Sequence, residues 1–172
     1  MTALRPSMTA ADAGQPAARR WMRIGLAMVA GWLFAAAWGS VVQTQFNLQA
    51  LVALDVPMPP RIRALTTLQD LAGFAPVYAG ILAAGWLPAL GLAAWLARRW
   101  PAARTALFTA AAGVGMVAAV RAVDAIAPMP VFIDATREWP GLLSMAAGAA
   151  LGGWIGARFS AKGLARPDAR LR

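Results

Sequence analysis

The chain has no cysteine and no histidine. Disulfides, thiolate nucleophiles, the usual zinc ligand sets and imidazole acid–base chemistry are excluded together. There is a single tyrosine, Tyr78, inside an apolar run, so a haem would have to rely on Met or Tyr for its axial ligands. Charge is scarce as well. Only 13% of the 172 residues are charged and 60% are apolar, a balance outside the range of soluble domains. No repeat of 20 to 50 residues is visible, which excludes solenoid arrays. The apolar runs lack the alternation of barrel strands, and they show no matched halves of the kind secondary transporters carry. Neither a cofactor nor a metal site is expected.

What the chain has in quantity is long apolar sequence, in four runs. They predict membrane-spanning helices at about 24–42, 71–96, 105–126 and 140–157. The first is 19 residues long, just enough at about 1.5 Å per residue to cross a hydrocarbon core of about 30 Å. Ala35, Ala36 and Ala37 could instead close a signal-peptide h-region. The run is long for that, and three more follow, so it reads as a signal anchor. Pro76 and Pro88 within the second run are expected to kink it. Residues 1–18 read as a disordered tail and 161–172 as a basic tail.

The formal charge is +9, and its placement is informative. Arg5, Arg19, Arg20 and Arg23 precede the first run. Arg98, Arg99 and Arg104 separate the second from the third. Arg158, Lys162, Arg166, Arg170 and Arg172 follow the fourth. These twelve of the sixteen basic residues would lie on one side, which predicts cytoplasmic amino and carboxyl termini. Basic residues that flank apolar segments suit anionic lipid headgroups rather than nucleic acid. The Ala, Arg, Gly, Pro and Trp bias is that of a GC-rich bacterial genome, and by association the membrane is a bacterial inner membrane. The expected fold is therefore an all-α integral-membrane four-helix bundle.

The opposite side carries amides and acids. Gln43, Gln45 and Asn47 fall in what reads as the connection after the first span. There follows a stretch in which Ile62, Leu65 and Leu68 form an apolar stripe at helical spacing, predicting an amphipathic segment on the outer surface between helices 1 and 2. Gln69 and Asp70 end it. Arg121 and Asp124 lie three apart in the last turns of the third span, close enough to pair, and intramembrane charge tends to face a bundle interior. These seven residues, Gln43, Gln45, Asn47, Gln69, Asp70, Arg121 and Asp124, are the candidate outer polar cluster. The alternative is that the amides cap helix ends and the ion pair sits at the interface. On the fourth span, Ser144, Gly148, Gly152 and Gly156 form a ridge of small residues, with Ala149, Gly153 and Ala157 beside it. Such ridges let helix backbones approach closely, either within one chain or against an oligomer mate or membrane-protein partner.

The polar exit from the first span, the pattern Gln69–Asp70–Leu71, Gly73–Phe74 and Pro76, and the four-span layout resemble small bacterial inner-membrane proteins of uncharacterised role. That resemblance covers roughly residues 21–160 and implies no activity or site residue. Three functional readings follow. One is a non-enzymatic accessory, assembly or scaffolding component. Another is a small transporter, channel or sensor with the polar cluster as its site. The third is a lipid-modifying enzyme, which would need Asp70, Asp124 or Asp134 as acid or base.

Overall fold

A computed structural model describes residues 17–126 and 133–162. The tails expected at 1–18 and 161–172 lie almost wholly outside the described residues, as does the 127–132 part of the third connection. Within them the chain is an all-α bundle of four helices: α1 (Ala17–Val52), α2 (Pro60–Arg99), α3 (Arg104–Ile126) and α4 (Trp139–Lys162). All four are long and apolar enough to cross a membrane. A short 3-10 turn, Pro101–Ala103, reverses the chain between α2 and α3, and another, Asp134–Thr136, leads into α4.

Two helices far outrun their apolar cores. At 36 and 40 residues, α1 and α2 are about 54 and 60 Å long. The amide-rich segment read as a connection is instead helical, the last ten residues of α1. The amphipathic segment is helical too, and it continues without a break into the second apolar run as the first turns of α2. Pro76 and Pro88 sit inside that helix. Between α1 and α2 the chain turns in a Schellman motif. Val56 N donates to Leu51 O at 3.2 Å and Asp55 N to Val52 O at 3.0 Å, with Asp55 at φ 59°. Pro59 then precedes α2 in extended backbone, and Pro60 occupies the first helical position, where a missing donor costs nothing.

The core runs along the bundle axis through Leu82, Trp86, Met116, Val120, Leu142 and Met145, with Ile133 and Ala135 closing the end near the amides. Close approach of the backbones depends on small residues. A β-carbon on Gly152 would collide with the Gly31 carbonyl and lie 3.0 Å from Ala35 Cβ. On Gly156 it would lie 2.9 Å from Met28 Sδ, and on Gly148 it would enter the Trp38 ring. The ridge Ser144, Gly148, Gly152, Gly156 is thus spent on α1 within the chain. The neighbouring ridge serves α3: a β-carbon on Gly153 would meet Ala112 and lie 2.7 Å from the Phe108 carbonyl.

Three indoles tie the helices together. Trp32 Nε1 donates to Ala79 O (3.1 Å), Trp38 Nε1 to Ser144 O (2.9 Å) and Trp86 Nε1 to Ala112 O (2.9 Å), joining α1 to α2, α1 to α4 and α2 to α3. A buried indole N–H needs an acceptor, and a helical carbonyl has a second lone pair to offer. At the arginine-rich end, Arg104 donates to Ala157 O and to Ser160 Oγ, both at 2.9 Å, and its guanidinium lies 4.8 Å from the Phe108 ring centroid. A cation there meets the negative end of the α4 dipole.

Candidate functional site

The polar residues at the other end form a seam between α1 and α2. Asp70 and Thr44 meet across it, with Thr44 Oγ1 2.7 Å from Asp70 Oδ2. The same hydroxyl lies 2.9 Å from the Ser40 carbonyl one turn back, so one proton serves two acceptors. One turn further out, Gln45 Nε2 donates to Thr67 Oγ1 at 3.1 Å, and Arg63 Nη1 to Gln45 Oε1 at 3.4 Å. Thr67 in turn donates to the Arg63 carbonyl at 2.7 Å. Arg63, Thr67 and Asp70 are spaced four and three apart, so they share one face of α2, and that face is turned to α1.

The segment is amphipathic, as expected, and it is helical. Its apolar stripe faces away from the bundle: Ile62 is 44% exposed, Leu65 49% and Leu68 63%. Leu54, at the tip of the hairpin, is 73% exposed. The projecting hairpin thus pairs a polar seam inside with an exposed apolar stripe on the outer side of α2.

Gln43 works in a different direction. Two residues from Gln45, it points roughly 200° away round the helix, and its Oε1 accepts a 2.8 Å hydrogen bond from Ala135 N. That bond pins the turn before α4 to α1. Thr136 in the same turn is buried, and its hydroxyl donates to Ile133 O at 2.7 Å.

The remaining members of the predicted cluster do not join these. Asn47 and Gln69 are exposed. The Arg121 side chain is 54% exposed and reaches Asp124 only at 3.9 Å, a contact at the edge of ion-pair range. Asp124 itself is largely enclosed, and among the described residues neither carboxylate oxygen has a hydrogen-bond partner. Asp134 pairs with Arg137 at 3.0 Å. So Gln45 and Asp70 share the seam, Gln43 is tied to the third connection, and Asn47, Gln69 and the Arg121–Asp124 pair stand apart. None of the seven lines the three apolar grooves that run between α1 and α2, α2 and α3, and α3 and α4. Among the described residues, no three Asp or Glu side chains gather as metal ligands would.

Several residues in this region were not among the predicted seven. Thr44, Arg63 and Thr67 complete the seam. Ser40 and Tyr78 are fully buried, with hydroxyls that have no partner among the described residues. Tyr78 packs on Gly39, whose missing side chain makes room for the ring, and stacks on Phe74 with ring centroids 5.8 Å apart. The signal for the seam was present as a second, polar stripe at helical spacing, beside the apolar one. Comparison with protein-family models, with curated proteins and with solved structures gives no match.

Proposed function

We propose that the protein is a non-enzymatic, multi-pass component of a bacterial inner membrane, with both termini in the cytoplasm, and that it serves assembly or scaffolding of a membrane-protein partner. The observation that carries this reading is the projecting α1–α2 hairpin. Thr44 pairs with Asp70 and Gln45 with Thr67 on its inner side, while Ile62, Leu65, Leu68 and Leu54 are exposed. A contiguous apolar surface rimmed by polar groups marks an interaction site. Most of the amides predicted as a ligand pocket are engaged in cross-ties or lie apart, which weighs against a shared binding cavity. The test is co-purification in mild detergent. A partner that is retained by the native chain and lost with Leu65→Gln/Leu68→Gln, at unchanged abundance of folded protein, supports the reading. A monomeric, partner-free particle from native membranes opposes it.

One observation favours the second reading, a small transporter or sensor: the enclosed Asp124 carboxylate, without a hydrogen-bond partner among the described residues. Polar groups left unpaired in a bundle are costly and are retained for function. On that reading Asp124→Asn and Arg121→Ala abolish activity without lowering the amount of folded protein. If both act only through abundance, the second reading fails.

A further inference from the structure

The largest of the apolar grooves, about 970 Å³, runs between α3 and α4 along Ala106, Ala110, Gly113, Ala146 and Ala150. At the arginine-rich end of the bundle its character changes. Thr105 and Trp154 line it there. Arg158 follows Trp154 by one helical turn on the same face of α4 and is exposed. The groove therefore has an apolar body ending at a hydroxyl and an indole, with the Arg158 guanidinium one helical turn beyond.

We propose that this groove is a binding site for one anionic phospholipid. An acyl chain lies along the Ala and Gly lining, and the phosphate meets Arg158 and the Thr105 hydroxyl beside Trp154. The proposal rests on the reading that the chain spans a membrane. Charge complementarity selects the occupant: a zwitterionic lipid offsets the phosphate charge with its own ammonium, whereas an anionic lipid leaves that charge to the guanidinium. Arginine is suited to phosphate because its planar fork donates two parallel hydrogen bonds. An indole at the headgroup level is the usual companion of such a site.

Native mass spectrometry of the full chain, released from nanodiscs holding equal phosphatidylglycerol and phosphatidylcholine with the same acyl chains, tests this directly. The native chain is expected to retain one phosphatidylglycerol in preference to phosphatidylcholine. Arg158→Gln is expected to weaken that preference about tenfold, the effect of losing one charge-assisted contact. Ala110→Phe, an exposed lining position whose change leaves the core intact, is expected to abolish retention of both lipids. Equal retention of the two lipids by the native chain overturns the proposal. So does full phosphatidylglycerol retention by Ala110→Phe, or a lipid-free dimer in which a second copy fills the groove. Carbonate extraction of native membranes separates the two failures: a protein that stays in the pellet but shows no lipid preference refutes the site and not the membrane reading.

Discussion

Asp55 occupies the left-handed position of the turn between α1 and α2, at φ 59°. An L-residue pays for that conformation, and aspartate pays less than most because its short side chain tolerates it. Asp55→Gly is therefore expected to stabilise the protein by about 0.5–1 kcal/mol, net of the glycine's extra freedom when unfolded, and a β-branched residue there to destabilise it. Thermal unfolding in detergent micelles reads both. Gln43 is the second residue with a single identifiable task. Gln43→Ala removes the acceptor for Ala135 N and is expected to cost about 1–2 kcal/mol, whereas Gln43→Glu keeps the acceptor and most of the stability. A larger loss with Glu than with Ala would show that the bond to Ala135 is not what Gln43 supplies.

Among the elements, α1 and α4 share the most extensive contact, and glycine lets their backbones meet. Gly152→Leu is expected to push α1 from α4 and sharply reduce the yield of folded protein, at a cost of roughly 1–3 kcal/mol or more. Gly25, also on α1, has nothing within 4 Å of a built β-carbon. Gly25→Ala is accordingly expected to be neutral or mildly stabilising, by up to about 1 kcal/mol. Thermal stability and folded yield compare the two, and equal effects would contradict the packing role. The Gly ridge was legible in the sequence because its spacing is local, but which partner it served was not: spacing names the face of a helix and is silent on what covers it. The ends of α1 and α2 were not legible either. Apolar composition marks where lipid can lie, and both helices continue past that point through amides and threonines that find partners across the hairpin. The same limit hid the three indole bonds, because Trp32, Trp38 and Trp86 carry no mark of the carbonyls they reach.

For the whole molecule, four apolar runs announced four helices, since each run is long enough for a bilayer and nothing shorter competes. The polar seam escaped because an apolar stripe is ordinarily the buried face of a helix in water, and here Ile62, Leu65 and Leu68 face out while Arg63, Thr67 and Asp70 face in. An outward apolar face suits a surface covered by another protein, and it makes the hairpin the most distinctive part of the molecule. The orientation we propose is open to a clean test because the native chain has no cysteine. A single cysteine at Asp55 is expected to react with a membrane-impermeant maleimide in spheroplasts, and one at Ala161 only after lysis. The reverse pattern would invert the topology.

The most direct measurement is site-specific photocrosslinking in native membranes from a probe placed at Leu65 or Leu68, with Asn47 as the comparison. A discrete protein adduct of one mass is expected from both leucine positions and none from Asn47. Lipid adducts alone from Leu65 and Leu68, or protein adducts equally frequent from all three positions, would contradict it.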